Sequence, residues 1–258
     1  MGLTKKDTRL PRLQVLKGLG KRPATSLVIW LLLAALACGS GLPSPTPLST
    51  KEPLDAKEAL RGAVNEMLKL ESASFILEHL KGTTALIPGF LEMRKASGVV
   101  DIPNKFRVKV EAETVRPRSF VEINVVTIFD QAYITDLITG EWREVEPDSL
   151  PFTLTNLGKT LAEIIEAMEA PAFIGSERLR GYDTYRIQGR IRSQDLLGLV
   201  PGAGEGFDVQ LDLWLEQSGS LLLQVLITGK VVSTDQADTV RRLTLDDINV
   251  PVDITPPK

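Results

Sequence analysis

The stretch KFRVKVEAE, residues 105–113, alternates charged and apolar side chains without a break. A period of two places one kind of side chain on each face of an extended strand. The same alternation returns in three more segments, 121–125, 184–191 and 209–216. Strands with one wet face and one dry face are typical of antiparallel sheets, so these four segments predict such a sheet.

Less regular segments extend the predicted sheet to about ten strands. Turn-forming pairs such as Thr139-Gly140 and Arg180-Gly181 separate the strands along the chain. Long helices do not alternate with single strands, which disfavours a doubly wound parallel sheet. The additional strands are predicted at 74–80, 98–102, 132–136, 221–228 and 241–248.

Three segments have the three- and four-residue apolar spacing of helices. The first begins at Asp55, which with Glu58 resembles an N-cap and its partner three residues on, and its apolar stripe runs to Leu70. The second is predicted at 155–170, and a short third one at 193–199 has Ser193 as its cap. The fold class is therefore α+β, a large and mostly antiparallel sheet whose dry face is covered by helices.

Charge is distributed unevenly along the 258 residues. The whole chain has 30 basic and 33 acidic side chains, a net charge of −3. Residues 1–22 carry seven basic side chains against Asp7 alone, and residues 23–38 carry no charge, so the remainder has a net charge of −9. An acidic body disfavours nucleic acid as a partner, because such binding depends on neutralising phosphates.

The first forty residues resemble a secretory signal of the lipoprotein type. An apolar run at 27–37 follows the basic stretch and is too short to span a bilayer. It leads into Ala35-Leu36-Ala37-Cys38-Gly39, which is similar to a bacterial lipobox apart from Ala35, where Leu is usual. We predict a signal peptide at 1–37 and a lipid anchor at Cys38, the chain's single cysteine. A plain secretory signal is the alternative.

A Ser- and Pro-rich segment follows the predicted anchor. Residues 38–54 are low in hydrophobicity and contain prolines that do not join helices or central strands. This composition predicts a flexible tether, and residues 55–258 are then the folded domain. If Cys38 is acylated, the tether holds that domain at the extracytoplasmic face of the cell membrane.

The residue types needed for catalysis are scarce. His79 is the only histidine, and a lone histidine within a predicted strand is more often a surface or core residue than a catalyst. One histidine and one cysteine cannot form a multi-ligand metal site. The glycines of 202–206 lead into a strand rather than a helix, which is not the arrangement of a phosphate loop. The sequence predicts a protein that is not an enzyme and uses no cofactor or metal.

The dry faces of the predicted strands are built from Val, Ile, Leu and Ala, while only 5% of the chain is aromatic. Such a surface can close into a filled core, or it can line a cavity for an apolar ligand. Composition alone leaves both possibilities open.

Five segments, in their order and spacing, are similar to the LppX/LprG family of bacterial cell-envelope lipoproteins. The resemblance covers about residues 57–258, together with the lipoprotein-type signal. No single segment is specific to the family, because each consists of residues with a structural role, so the resemblance depends on all of them together. The segments are GYDTYRIQG at 181–189, LLGLVPG at 196–202, Trp214-Leu215, Leu221–Gly229, and NVPVDITPP at 249–257.

The resemblance implies a curved antiparallel half-barrel, similar in architecture to LolA, LolB and RseB, with helices on its concave face around a hydrophobic cavity. It also implies that the protein binds acylated lipid or glycolipid and carries it within the cell envelope, where an envelope transporter is a possible partner. Two other functions stay open: an RseB-like sensor domain that binds a protein, and a structural lipoprotein without a ligand.

The alternation pattern supplies candidate cavity residues on the sheet and on the second helix. Each of them has an alternative role in core packing. Phe90 and Leu91 are candidates for a cavity entrance. The predicted cavity residues are Phe106, Val108, Val110, Ile123, Val125, Leu161, Ile164, Ile165 and Met168.

Overall fold

The structure is a computed structural model that describes residues 54–150, 154, 156–204 and 206–258. The predicted signal peptide, the anchor at Cys38 and nearly all of the predicted tether lie outside these residues. Within them, neither of the two α-helices is long and apolar enough to cross a membrane.

Twelve strands form one curved antiparallel sheet, as the resemblance implies. Their order across the sheet is β7-β6-β5-β4-β3-β1-β12-β11-β10-β9-β8, and β2 pairs with β3 beside this path. The strands are β1 Ser72–Lys81, β2 Thr84–Ile87, β3 Leu91–Asp101, β4 Lys105–Thr114, β5 Ser119–Ile128, β6 Gln131–Thr135, β7 Trp142–Val145, β8 Glu169–Leu179, β9 Tyr182–Arg192, β10 Asp208–Glu216, β11 Leu222–Thr228 and β12 Val240–Asp246.

The alternation that predicted the sheet also sets its two faces. In β4, Phe106, Val108, Val110 and Ala112 are buried, and the charged residues between them are exposed or only partly buried. The buried face shares one hydrophobic core with both α-helices. The opposite face of β4 is not entirely open to solvent, because an Arg107 Nη2 atom donates to the carbonyl of Thr255 in the C-terminal segment, at 3.4 Å.

Two α-helices lie against the dry face. Helix α1, Ala56–Met67, begins at the predicted N-cap, where the Asp55 carboxylate accepts a hydrogen bond from the Lys57 amide at 2.9 Å. It ends before Leu70, which nevertheless packs in the core. Helix α2, Leu157–Glu166, begins after Asn156, whose side chain accepts from the Lys159 amide at 3.0 Å.

The predicted helix at 155–170 is too long at its C-terminal end. Helix α2 ends at Glu166, and strand β8 has already begun at Glu169. Pro171 explains the early end, because its ring excludes a continuing helix and disfavours helical geometry in the preceding residue. Residues 166–170 favour helix by composition, and this local preference masked the start of the strand.

The short helix predicted at 193–199 is present only as a shorter 3₁₀ helix, and the predicted cap is wrong. Ser193–Leu196 forms a single 3₁₀ turn, and Ser193 does not cap it. Instead, the buried Ser193 hydroxyl donates to the carbonyl of Gly204 and accepts from the amide of Phe207 at 2.9 Å. Ser193 therefore fastens the two ends of the β9–β10 connection to each other.

The helices approach each other closely at Gly158. A Cβ atom added to this residue would lie 2.4 Å from the carbonyl oxygen of Met67, which is main-chain and cannot turn away. Gly175 in β8 is the opposite case, because a Cβ atom there would meet nothing within 4 Å. The two glycines therefore make a matched pair for testing the helix contact.

We predict that Gly158→Ala lowers the free energy of unfolding by about 1–3 kcal/mol, since the two helices must move apart. Gly175→Ala should leave that free energy unchanged or raise it slightly. Urea unfolding followed by circular dichroism measures both variants. Equal stability of the two would show that the helices are not in close contact at Gly158.

Candidate functional site

An apolar cavity of about 360 Å³ lies between the sheet and two connecting segments. Its floor comes from strands β1, β3, β4 and β12, and its side from β2. Its roof comes from the segment that leads into α2 and from the β9–β10 connection. The described lining residues are Phe75, Leu77, Leu86, Met93, Ala96, Val108, Leu150, Leu154, Leu157, Leu197, Gly198, Leu199, Pro201, Gly202 and Leu243.

The chemistry of this lining is uniform. None of the described lining residues has a charged or hydrogen-bonding side chain. The floor residues Val108 and Leu243 are almost fully buried, whereas Leu197 in the roof is 59% exposed. The cavity is therefore enclosed at the sheet and reaches solvent beside Leu197. It can hold an apolar group by burial, and it presents no nucleophile, acid or base to one.

The roof over the cavity is fixed by close backbone packing against α2. A Cβ atom added at Gly198 would lie 2.8 Å from the Cγ2 atom of Thr160. Leu199 and Val200 both donate main-chain hydrogen bonds to the carbonyl of Leu196, at 2.9 and 2.8 Å, so the segment folds on itself. These contacts place Leu197, Leu199 and Pro201 over the sheet.

The structure distributes the nine predicted cavity residues over three places. Val108 lines the cavity. Ile165 and Met168 line a separate groove of about 460 Å³ beside α1, which also contains charged residues such as Arg61 and Glu166. The other six lie in the hydrophobic core away from the described cavity lining: Phe106, Val110, Ile123, Val125, Leu161 and Ile164.

The two candidate entrance residues differ in exposure. Phe90 is exposed in the β2–β3 turn, whereas the side chain of Leu91 is buried in the core. Neither belongs to the described cavity lining, although Leu86 and Met93 on the same hairpin do.

Sequence reasoning missed most of the lining, and above all the roof. The LLGLVPG segment at 196–202 supplies five of the lining residues. The sequence does contain a signal for this role. A run of large apolar side chains in a connection with Gly and Pro belongs to no predicted strand or helix, which indicates that it packs against another part of the fold. Alternation identifies which face of a strand is dry, but it does not show which part of that face a connection covers.

A buried polar cluster lies on the same face of the sheet, one layer beyond the cavity floor. His79 follows Leu77 by two residues, and Arg241 precedes Leu243 by two, so each shares a face with a lining residue. The Arg241 and Asp235 side chains are fully buried and form an ion pair at 2.7 Å. Asp235 also accepts from the amides of Val231 and Val232, which compensates its buried charge.

The hydrogen bonds around His79 define a neutral imidazole ring. Nδ1 lies 3.1 Å from the carbonyl oxygen of Arg94, which only accepts, so Nδ1 carries the proton. Nε2 then accepts from the hydroxyl of Thr84 at 2.9 Å. That hydroxyl oxygen accepts in turn from Nη2 of Arg241 at 2.8 Å. Burial, together with the positive charge of Arg241, lowers the pKa of His79 from 6.5 to about 4.

Fold and cavity together define a half-barrel protein that encloses an apolar pocket. The chain belongs to the LppX_LprAFG lipoprotein family, whose sequence profile matches residues 55–254. No curated protein matches the chain in sequence.

Two solved lipoprotein structures are similar to this chain. LprF from Mycobacterium bovis is 18% identical, with a TM-score of 0.62, and the match covers 80% of this chain and 98% of LprF. LppX from Mycobacterium tuberculosis is 17% identical, with a TM-score of 0.53, and the match covers 78% of this chain and 100% of LppX. At these identities the likeness establishes the fold.

We predict that stability decreases as the pH falls from 6.5 towards 4, because the unfolded chain takes up a proton on His79 before the folded chain does. The full effect is about 3 kcal/mol. His79→Gln removes this contribution, because glutamine stays neutral. Urea unfolding at pH 7 and at pH 4.5 measures the difference.

His79 is the chain's only histidine, so no other side chain of that type titrates in this window. If His79→Gln and the unsubstituted protein lose the same stability between the two pH values, the imidazole ring is not held neutral by the fold.

Proposed function

We propose that the protein is a lipid carrier that binds an acylated lipid or glycolipid in the cavity and moves it within the cell envelope. The observation that carries this proposal is that every described lining side chain is apolar, with one exposed leucine in the roof. Each methylene group moved from water into such a site contributes about 0.8 kcal/mol. An acyl chain therefore binds without a specific polar contact.

The cavity volume limits what the carrier holds. At about 360 Å³ it lies near the lower end of the range of about 300–1,000 Å³ that is typical of small-molecule sites. We propose that the site takes a single acyl chain in the closed form and that larger cargo requires the roof to move. Val108 contacts the ligand directly in this proposal. Contact with the other eight predicted residues remains a prediction.

The proposed carrier is attached to the extracytoplasmic face of the cell membrane through an acylated Cys38. The membership of a lipoprotein family and the position of the chain's single cysteine after an apolar run support this attachment. The tether at 38–54 then keeps the folded domain within a short distance of the membrane. An envelope transporter is the proposed source or recipient of the lipid.

We predict that gently purified protein carries a lipid mass in native mass spectrometry. Ala96→Phe should remove most of it, because Ala96 lies in the cavity floor between Leu77 and Val110, where a larger side chain occupies the space of the ligand. Ala172→Phe is the matched control, since Ala172 is exposed on strand β8. A ligand-free protein, or equal lipid content in both variants, would contradict the carrier proposal.

The anchor has its own test. We predict that Cys38→Ser abolishes acylation and releases the protein from the membrane fraction, because serine offers no thiol to the acyl chain. Fractionation of cells, followed by mass analysis of the mature N-terminus, measures both outcomes. A Cys38→Ser protein that stays processed and membrane-bound would show that the lipobox interpretation is wrong.

A further inference from the structure

One end of the sheet exposes large apolar side chains on or beside three alternate hairpin turns. The turns join β2 to β3, β4 to β5 and β6 to β7, and because these strands are neighbours in an antiparallel sheet, all three turns lie at the same end. We call this surface the hairpin end. Its exposed apolar side chains are Ile87, Phe90, Phe120, Leu137 and Ile138.

The β6–β7 turn is ordered by its own hydrogen bonds. The Asp136 carboxylate accepts from the amides of Ile138 and Thr139 at 2.9 and 3.0 Å, and these bonds lower the pKa of Asp136. The Gly140 amide donates to the carbonyl of Asp136 at 3.0 Å. Turn tips usually carry small or polar residues. Here the tip carries Ile138, which is 94% exposed.

Basic side chains accompany the apolar ones. Arg116 and Arg118 are exposed on the β4–β5 turn, directly before Phe120. Arg118 lies 3.3 Å from Glu113, whose carboxylate also binds Arg94, so the positive excess is local to the β4–β5 turn, while the β6–β7 turn carries the acidic Asp136 and Glu141. This excess is in contrast to the net charge of −9 on the chain after Cys38.

The opposite end of the same strands has a different character. There the β3–β4 turn contains Pro103 and Asn104, and the β5–β6 turn contains Phe129 and Asp130. Phe129 is exposed, and the Lys105 ammonium lies 5.5 Å from the centre of its ring. The large apolar side chains are therefore concentrated at one end of these hairpins, and this asymmetry requires an explanation.

We propose that the hairpin end docks on the surface of an anionic lipid bilayer. Apolar and aromatic tips enter the headgroup region, while Arg116 and Arg118 contact lipid phosphates, which is the pattern of interfacial anchors. Local charge complementarity favours this partner, because Arg116 and Arg118 on the β4–β5 turn attract anionic lipid although the domain as a whole is acidic. Docking by the folded domain goes beyond the carrier function and beyond attachment through Cys38.

The hairpin end is continuous with the cavity. Strands β2 and β3 carry Leu86 and Met93 in the cavity lining, and the turn between them carries Ile87 and Phe90. When the turn enters the bilayer, the side wall of the cavity comes close to the acyl chains. The docked orientation therefore shortens the distance that an apolar ligand travels through water.

Phe120 and Phe129 provide a matched pair of positions for the test. Both are 63% exposed, and they lie at opposite ends of strand β5. We expect Phe120→Trp to be quenched by bilayers with brominated acyl chains, and Phe129→Trp to be several-fold less quenched. The full chain is used, in vesicles of equal amounts of phosphatidylcholine and phosphatidylglycerol, and the fluorescence of the unsubstituted chain is subtracted.

Charge reversal tests the basic contribution in the same assay. Added to Phe120→Trp, Arg116→Glu should reduce the quenching, whereas Arg178→Glu on β8 should not, because Arg178 lies outside the hairpin end. Equal quenching at positions 120 and 129, or none at either, would overturn the proposal. The latter result would point to a protein as the occupant.

The two proposals fail in different ways. Protein that carries no lipid but shows quenching at position 120 contradicts the carrier function and leaves docking intact. Protein that carries lipid without this quenching contradicts docking alone.

Discussion

The pairing of β1 with β12 is the constraint on which the rest of the domain depends. The other neighbouring pairs in the main strand order lie within one of two meanders, β3–β7 and β8–β12, or join β1 to β3. The β1–β12 ladder, which includes Ser74 with Asp246 and His79 with Arg241, joins the two halves. A slip of one residue would turn Phe75, Leu77 and Leu243 away from the cavity, because side chains alternate between the faces of a strand.

The buried polar cluster lies in this same seam, and it gives the pairing a fixed register. Arg241 on β12 meets Thr84 on β2 and Asp235 in the preceding connection, while His79 on β1 shares the Thr84 hydroxyl. The Arg241–Asp235 pair lies on one side of the seam, so a shifted register would break the bonds from Arg241 to Thr84 and leave buried donors without their acceptor. The apolar floor of the cavity therefore keeps its position partly because hydrogen bonds in an adjacent layer of the same face join β12 to β2.

The long, regular strands could be predicted from the sequence, whereas the edge strands and the residues that line the cavity mostly could not. Residues 105–113 alternate because one face of β4 is packed in the core and the other is polar. Any strand between a core and solvent is under the same constraint, so its sequence shows the same alternation. Strand β8 has only one neighbour and is exposed along most of its length, so no alternation is imposed on it. Strands β2 and β7 have four residues each, too few to show a period. Val108 was identified because it lies on a regular strand, while Leu197 and Pro201 depend on how a connection folds over the sheet.

The attachment of the cavity roof has a mechanical consequence. The β9–β10 connection is closed at its base by Ser193, whose amide and hydroxyl both bond to Phe207. Between these points, the main-chain hydrogen bonds described for Leu197, Leu199, Val200 and Ala203 are to Gln194, Leu196 and Val200 of the same connection, and none of these bonds is part of a ladder between strands. The roof is thus attached to the strands at its base, through Ser193 and Phe207, and packs against α2 above the cavity. Lifting it would separate apolar surfaces, including the close contact of Gly198 with Thr160, and would leave the hydrogen bonds of the sheet unbroken, so we expect opening to be local rather than global.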